Sequence, residues 1–122
     1  MTHPFRFLPR HRLRSAADFE RVYRSRSRAG DGLFAVNALS NDFGFARLGM
    51  SVSARTVGNA VRRNRVRRII RELFRIRHAT LPPVDYVVTS RAGARAADRS
   101  AIEASLEHLF AAAARRLPPG HS

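Results

Sequence analysis

The chain has 122 residues and a formal net charge of +14, because it carries 23 basic residues, all of them arginine, against 9 acidic ones. This length fits one domain with a modest core, and the charge is typical of a protein that binds a polyanion. The absence of Cys excludes disulfides, a thiolate metal site and a cysteine nucleophile.

The sequence predicts neither export nor membrane insertion. Residues 1–14 are rich in Arg and interrupted by Pro, and they have no apolar run of the kind that a secretory signal needs. No long apolar run follows, so we expect a cytoplasmic protein without a membrane partner. We divide the chain into a basic N-terminal arm (1–14), a single α/β domain (15–116) and a flexible tail (117–122).

The first predicted helix follows the arm. Ser15 is a suitable N-cap, and Asp18 stands three residues later, as in a short capping box. Phe19, Val22 and Tyr23 recur at helical spacing and share one face. An aromatic pair at this spacing is more often core than binding surface, so both roles stay open for Phe19 and Tyr23.

Two strands are predicted after this helix. Residues 25–32 break the periodic pattern and predict a turn, and residues 33–39 then predict a strand. The apolar residues on one side of that strand are Phe34, Val36 and Ala38. Residues 46–53 alternate in the same way and predict a second strand. We expect the two strands to form an antiparallel pair.

A long helix is predicted from Thr56 or Val57 to His78, and the two prolines that follow exclude its continuation. A short strand at 86–90 comes next. Asp98 or Ser100 can cap a last helix, whose apolar face comprises Ile102, Leu106, Leu109 and Phe110. The order α-β-β-α-β-α predicts a single small domain of the α+β or α/β sandwich class, with helices packed on a sheet.

The long helix carries an unusual amount of charge. Between residues 61 and 75 it has seven Arg and one Glu, yet its apolar residues keep helical spacing. On a helical wheel the apolar side comprises Val66, Ile69, Ile70, Leu73 and Ile76. The opposite side comprises Asn64, Arg67, Arg68, Arg71 and Arg75, with Arg63 and Arg65 flanking the first turns.

This charged side is a candidate binding surface. A solvated helix face normally mixes both signs of charge, whereas only Glu72 dilutes this one. We therefore interpret it as a surface for a polyanion. A helix that reads DNA would usually follow another helix, but a strand is predicted before this one. Asn64 can also hydrogen-bond bases or riboses, so RNA is the expected partner and DNA is not.

These residues carry a resemblance to a known family. The segment GMSVSARTVGNAVRRNRVRRIIRELFR, residues 49–75, is similar to the signature segment of the protein component of bacterial ribonuclease P. The residues that match its RNR motif and the basic continuation are Arg63, Asn64, Arg65, Arg67, Arg68 and Arg71. LRSAADFERVYR resembles the first helix of the family, and VDYVVTSRAGA resembles its last strand with the following Arg91. The resemblance covers residues 11–110.

The resemblance implies a fold, a partner and a reaction. The fold is a ribosomal protein S5 domain 2-like sandwich with a left-handed βαβ crossover through the RNR helix. The partner is a large catalytic RNA, and the ribonucleoprotein removes the 5′ leader from precursor tRNA by endonucleolytic hydrolysis. Mg²⁺ held by that RNA performs the chemistry, so the protein alone is expected to be inactive and to bind no cofactor. The protein supports the RNA fold and holds the leader in a cleft between its first helix and the sheet.

The resemblance also implies two groups of binding residues and no catalytic residue in the protein. The group expected to contact the catalytic RNA is Arg63, Asn64, Arg65, Arg67, Arg68, Arg71 and Arg75. The group expected to contact the precursor tRNA leader is Phe19, Tyr23, Phe34, Asn37, Ser51 and Arg55. For Phe34 a core role stays equally open. Two positions depart from the family pattern. Asn37 stands where some members have an aromatic residue, and Ala54–Arg55 stands where a lysine pair is common.

Two other classes of protein fit less well. A protein-only nuclease would need a carboxylate cluster for metal ions or a His pair for acid–base chemistry, but the 9 acidic residues are spread singly. The 5 histidines have no partner at metal-ligand spacing, so no protein-bound metal is expected. A basic structural protein of the ribosome fits the composition equally well, and the RNR segment is what favours ribonuclease P.

Overall fold

The computed structural model describes residues 8–118 as one sheet with helices on both faces. Residues 1–7 of the predicted arm and 119–122 of the predicted tail lie outside the described residues. In chain order the elements are α1 (Ala16–Tyr23), β1 (Ser27–Gly30), β2 (Phe34–Ser40), β3 (Arg47–Ser51), α2 (Ala54–Val57), α3 (Ala60–Arg77), β4 (Val84–Ser90) and α4 (Arg99–Arg115). Short 3-10 turns at Pro9–His11 and Ala92–Arg95 precede α1 and α4. None of the helices within 8–118 has the length and apolar character needed to cross a membrane.

The sheet confirms the predicted sandwich and corrects two of its details. Its four strands lie in the order β1-β2-β4-β3, with β2 antiparallel to both neighbours and β3 parallel to β4. The predicted pairing of β2 with β3 is therefore wrong, because β4 lies between them. The predicted turn at 25–32 is wrong in part, because Ser27–Gly30 forms an edge strand. That strand buries only the small side chains of Ser27 and Ala29, so it lacks the usual apolar signal.

The basic helix begins later than predicted because the chain breaks at Gly58. The φ angle of Gly58 is 106°, in the left-handed region that glycine adopts most readily, and it ends α2. Asn59 then caps α3 and accepts a hydrogen bond from the N–H of Arg62 at 3.0 Å. Together α2 and α3 form the predicted crossover that connects β3 to its parallel neighbour β4.

The other helix ends agree with the sequence. Ser15 caps α1 and accepts a hydrogen bond from the N–H of Asp18 at 3.0 Å. Asp98, one of the two predicted caps, accepts a hydrogen bond at the start of α4. The last residue of α3 is Arg77, with His78 as its C-cap. Local capping chemistry therefore fixes these boundaries.

The main core lies between the sheet and the helices α3 and α4. Its fully buried side chains include Phe34, Val36, Ile70, Tyr86, Val88 and Ile102. A smaller cluster on the opposite face joins Leu13, Val22 and Val87, with Phe19 and Leu39 packed against it. The short helix α1 therefore covers one face of the sheet, and α3 and α4 cover the other.

The buried stripe of α3 differs from the prediction in its last turn. Ile76 is 41% exposed, and Phe74 is fully buried in its place. The ring of Phe74 packs beside Phe110 of α4, with centroids 6.2 Å apart. The end of the stripe therefore faces α4, which leaves Ile76 at its edge.

Candidate nucleic-acid-binding surfaces

The first candidate surface is the outer side of α3, opposite the buried stripe. Of the predicted residues there, Asn64, Arg65 and Arg68 are exposed and the others are half-buried. We call this surface the arginine ridge, and its members are Arg63, Asn64, Arg65, Arg67, Arg68, Arg71 and Arg75. All seven predicted residues lie on this one helix. At helical spacing Asn64, Arg68, Arg71 and Arg75 lie opposite the buried stripe, and Arg63, Arg65 and Arg67 flank it.

Two guanidinium groups of the ridge are held by backbone carbonyls. Nη1 of Arg65 donates a hydrogen bond to the carbonyl of Ala97 at 3.3 Å, just before α4. Nη2 of Arg67 donates to the carbonyl of Val52 at 3.4 Å, just after β3. A carbonyl orients a guanidinium group without neutralising it, so both side chains are positioned while they keep their charge.

Most of the ridge charge is not offset by carboxylates in the described part of the chain. Among residues 8–118, Arg75 is the ridge residue with a carboxylate partner, Glu72, at 2.5 Å. The hydrogen bond from Arg75 lowers the pKa of Glu72, so this pair is ionised at neutral pH. The Nε of Arg63 is buried and has no hydrogen-bond partner in the described part of the chain. The ridge can therefore accept several negative charges from outside.

A groove between α3 and α4 extends the ridge. Its volume is about 440 Å³, and its lining residues are Val61, Asn64, Arg65, Arg68, Ile69 and Arg99. Arg99 comes from the first turn of α4. Arg95, from the 3-10 turn before α4, lies close to Gly58, with its Cζ 3.8 Å from where a Cβ on Gly58 would be. Sequence patterns could not identify Arg95 and Arg99 as part of this surface, because only tertiary packing brings them beside α3.

The second candidate surface is a cleft between α1 and the sheet. Gly30, Ala35, Thr89 and Ser51 align across the four strands on the face that carries α1. Gly30 is exposed, and Ser51 and Thr89 are half-buried. Tyr23 stands beside this row, with its hydroxyl 3.3 Å from Oγ1 of Thr89. The cleft therefore has a floor of small side chains and one aromatic wall.

The two aromatic residues of α1 have different surroundings. Phe19 is half-buried above Gly49, where a Cβ would lie 2.7 Å from the Phe19 ring, and it packs against the small cluster. Tyr23 is 43% exposed, and its ring centroid is 6.3 Å from that of Phe19. Of the two roles left open by the sequence, Phe19 mainly packs α1 onto the sheet, whereas Tyr23 is accessible to a ligand.

Arginines lie along the β1 edge of the cleft. Arg28 is exposed and pairs in the sheet register with Asn37 of β2, which is 7% exposed. Arg91 lies against Gly30, where a Cβ would be 2.9 Å from Nη1 of Arg91. The same Nη1 donates a hydrogen bond to the carbonyl of Asp31 at 2.7 Å. Two positive groups therefore border the row of small residues, while Asn37 offers little surface of its own.

The opposite edge of the cleft is formed where β3 leaves the sheet. Ser51 ends β3 and is half-buried, and Arg55 is exposed on α2, four residues later. Oγ1 of Thr56 and Oγ of Ser90 are 2.6 Å apart, which ties α2 to the end of β4. Ser51 and Arg55 therefore both belong to the segment that leaves the sheet at this edge.

Phe34 does not belong to the cleft, and this corrects the expectation from the sequence. Its side chain is completely buried in the main core. Side chains alternate between the two faces of a strand, and Phe34 shares its face with Val36 and Ala38, which pack with α3 and α4. Asn37 lies on the other face, so the two residues cannot line the same surface.

A buried carboxylate connects α1 with the strands that it covers. Asp85 is fully buried and accepts hydrogen bonds from Nε and Nη2 of Arg47 at 2.8 and 2.7 Å, and from Nδ2 of Asn41 at 2.8 Å. Arg21 of α1 approaches Asp85 at 3.4 Å and also pairs with Asp18 at 3.2 Å. This network links α1, β3 and β4 beneath the helix that borders the cleft.

The donor groups of the described residues do not meet the requirements of a metal site. Within residues 8–118, no three His, Asp or Glu side chains lie close enough together to hold a metal ion. The chemical groups that the two surfaces present are guanidinium, amide, hydroxyl and aromatic groups. These groups bind phosphates, riboses and bases. Fold and surfaces together define a small, basic α/β domain suited to binding nucleic acid.

Comparison with known proteins identifies the family. The sequence profile of the family described as Ribonuclease P matches residues 7–114. A ribonuclease P protein component from Halorhodospira halophila is 41% identical over 106 residues, which are 86% of this chain and 87% of the relative. One from Coxiella burnetii is 38% identical over 99 residues, 81% of this chain and 82% of the relative. The solved Staphylococcus aureus RNase P protein is similar with a TM-score of 0.78 and 34% identity, over 83% of this chain and 93% of that one.

This chain belongs to the ribonuclease P protein component family. The resemblance that the RNR segment carries is therefore confirmed, and so is the predicted sandwich fold. The ribonuclease P protein component is part of an endoribonuclease complex, so membership implies a role in tRNA processing.

Proposed function

We propose that this chain is the RNA-binding subunit of a ribonuclease P ribonucleoprotein and assists removal of the 5′ leader from precursor tRNA. The observation that carries the proposal is the separation of two binding surfaces. The arginine ridge lies on the outer side of α3, whereas the cleft lies on the opposite face of the sheet. A protein with two such surfaces can hold two RNA segments at once, here the catalytic RNA and the leader.

The arginine ridge and the adjoining groove suit the backbone of a folded RNA. A guanidinium group can donate two parallel hydrogen bonds to a phosphate. Arg65 and Arg67 are already oriented by carbonyl partners, which reduces the ordering cost of such contacts. Arg99 adds a positive charge on the other wall of the groove, and the neutral Asn64 can bond to a ribose or a base edge. We assign the catalytic RNA to this surface.

The cleft suits a single strand. A base can stack on the exposed ring of Tyr23, and stacking tolerates any base because every base has a π-face. Arg28 and Arg91 on one edge, and Arg55 on the other, are placed for phosphates on either side of that base. We assign the leader of precursor tRNA to this surface, where the protein contributes binding and orientation.

Hydrolysis of the phosphodiester bond is assigned to the partner RNA. Metal ions activate water and stabilise the leaving oxygen in reactions of this class. The described residues provide no three-ligand cluster for such an ion, and both candidate binding surfaces are lined by arginines. In this proposal Mg²⁺ is held by the catalytic RNA, and the chain raises the affinity for substrates that carry a leader.

Reconstitution tests the proposal. The purified chain, freed of RNA by nuclease treatment, should not cleave precursor tRNA in Mg²⁺. Addition of the cognate catalytic RNA should restore accurate cleavage at the 5′ end, and at low Mg²⁺ the RNA alone should be much slower. Specific cleavage by the RNA-free chain, or no effect of the chain on the RNA, would contradict the proposed function.

A further inference from the structure

A continuous series of rings runs from the main core to the surface on the side of the β2–β3 loop. Adjacent ring centroids are between 4.6 and 6.2 Å apart. We call this series the ring ladder, and its members, from the inside outwards, are Tyr86, Phe110, Phe74, His78, His11, Phe45 and Phe43. It connects the core with the segment before α1 and with the loop, so these three parts support one another.

The imidazole of His11 connects the rings of the core with the two Phe rings of the β2–β3 loop. His11 is buried, with its ring 4.6 Å from that of His78 and perpendicular to that of Phe45 at 5.2 Å. Burial, then the neighbouring charges of His78 and Arg10, lower the pKa of His11. The imidazole is therefore neutral at pH 7 and can pack as an aromatic ring.

The outer end of the ladder is the exposed ring of Phe43, which lies in the ordered β2–β3 loop. Phe43 is 55% exposed, and its N–H donates to Oδ1 of Asn41 at 2.9 Å. Nδ2 of Asn41 donates to the carbonyl of Phe45 at 3.1 Å and to the buried Asp85 at 2.8 Å. Gly44, with a φ of 81°, allows the tight turn between the two rings. Because the loop is already fixed, a ligand of Phe43 would not have to order it.

Arginine side chains accompany the outer two rings. The guanidinium carbon of Arg47 lies 4.2 Å from the ring centroid of Phe43, and that of Arg10 lies 5.5 Å from Phe45. Arg47 is held in this position by its two hydrogen bonds to Asp85. Asp42 is the acidic neighbour in the loop. A fixed ring with a cation against it and a second arginine beside it resembles the stacking platforms of proteins that bind single-stranded nucleic acid.

We propose that Phe43, supported by Arg47 and flanked by Arg10, is a stacking site for an unpaired RNA base. The inference rests on the proposed function, because it takes RNA as the partner. It concerns a different surface, since Phe43 follows the end of β2 that pairs with the start of β4, whereas Tyr23 contacts Thr89 near the end of β4. The groups packed around Phe43 are an arginine and another ring, which favours a base with its phosphate over an apolar protein partner.

Fluorescence can test this site directly, because the chain has no Trp. Phe43→Trp places a single reporter at the end of the ladder, and Ile76→Trp places one at a comparably exposed position on α3. A short single-stranded oligoadenylate should quench the emission of Phe43→Trp in a saturable manner, because a base stacks on the indole. The emission of Ile76→Trp should change little.

Binding measurements then identify the RNA that supplies the base. Phe43→Ala should weaken binding by at least about fivefold, the low end of the effect of removing one stacked base, while Phe43→Tyr should bind like the parent. Titrations use the catalytic RNA with the chain, and precursor tRNA or mature tRNA with the reconstituted complex. A loss with the catalytic RNA assigns the base to that RNA, and a loss confined to precursor tRNA assigns it to the leader. Melting curves of the variants show whether they remain folded.

Two results would overturn the inference. One is equal quenching of both Trp variants, and the other is no quenching of Phe43→Trp while the parent chain still binds the catalytic RNA. In either case the proposed function stands, because the ridge and the cleft do not involve Phe43. If the parent chain fails to bind the catalytic RNA at all, the proposed function fails and this inference fails with it.

Discussion

On one face of the sheet, α3 and α4 bury Phe34, Val36, Tyr86 and Val88 completely. On the other face, the eight-residue helix α1 covers Val87 and Leu39. Its last residue, Tyr23, is 43% exposed beside a row of small side chains. The first face carries most of the large buried apolar side chains, which stabilise the fold through burial. The second face is held by a small cluster and by the Asp85 network, so part of it stays open to a ligand.

The largest effect is expected at the carboxylate that fastens α1 and β3. Asp85→Ala removes the partner of Arg47, whose side chain is only 13% exposed and would keep a buried charge without a carboxylate. Loss of one partner of a buried ion pair typically costs about 3–5 kcal/mol, and urea denaturation should show a loss of this size in the free energy of unfolding.

The matched control is the exposed ion pair on α1. Asp18→Ala removes a contact with Arg21 in which both side chains are partly solvated, at 33% and 49% exposure. Exposed pairs contribute about 0–1 kcal/mol. If Asp85→Ala cost no more than Asp18→Ala, the α1 face would be held by its apolar cluster alone.

The second-largest loss of stability is expected where α1 packs on the sheet. A Cβ at Gly49 would lie 2.7 Å from the Phe19 ring and 3.2 Å from Cβ of Leu13. Gly49→Ala should therefore displace α1 and cost about 1–3 kcal/mol of stability, as overpacking usually does. It should also weaken binding of precursor tRNA, because Tyr23 moves with the helix.

Gly32→Ala is the control for the same chemical change. No heavy atom lies within 4 Å of the position of its Cβ, so this variant should fold and bind like the parent. Calorimetry of both variants gives the stability difference. A Gly49→Ala protein as stable as Gly32→Ala would show that Phe19 does not wedge α1 against β3.

A smaller effect is expected on the outer side of α3, which does not contribute to burial. Arg68→Ala and Arg99→Ala should each lower the slope of log affinity for the catalytic RNA against log salt by about one, as loss of one phosphate contact does. Asn64→Ala should weaken binding with little change in slope, because it removes a neutral contact. Arg115→Ala, at the far end of α4 from Arg99, is the control. Slopes equal to that of the control would mean that the groove is only solvated.

Sequence patterns were sufficient for features that depend on one element. The capping residues Ser15 and Asp98 and the two sides of α3 follow from local hydrogen bonding and from helical spacing. The break before α3 could also have been predicted, because Gly58 is a residue that commonly ends a helix and Asn59 is one that commonly caps the next. The predicted helix nevertheless began at Thr56 or Val57, before this break.

Features that depend on which strands are neighbours in the sheet could not be predicted from sequence patterns. β1 buries two small residues, so its sequence shows no apolar alternation. The position of β4 between β2 and β3 depends on the order of strands in the sheet, which the pattern of a single strand does not indicate. The arginines at the β1 edge of the cleft, Arg28 and Arg91, come together only through that arrangement. For Phe34 the sequence left core and cleft about equally open, although strand alternation already placed it on the face of Val36 and Ala38. The structure shows that this face is buried in the core.

The central claim is that the open face holds the leader, and Tyr23 tests it most directly. Tyr23→Ala in the reconstituted complex should cost about 1–3 kcal/mol in affinity for precursor tRNA with a leader, as loss of a stacked base does. Affinity for mature tRNA should not change, and Tyr23→Phe should bind both RNAs like the parent. If Tyr23→Ala instead weakened both RNAs equally and lowered the melting temperature, Tyr23 would be a packing residue and the leader would have to bind elsewhere.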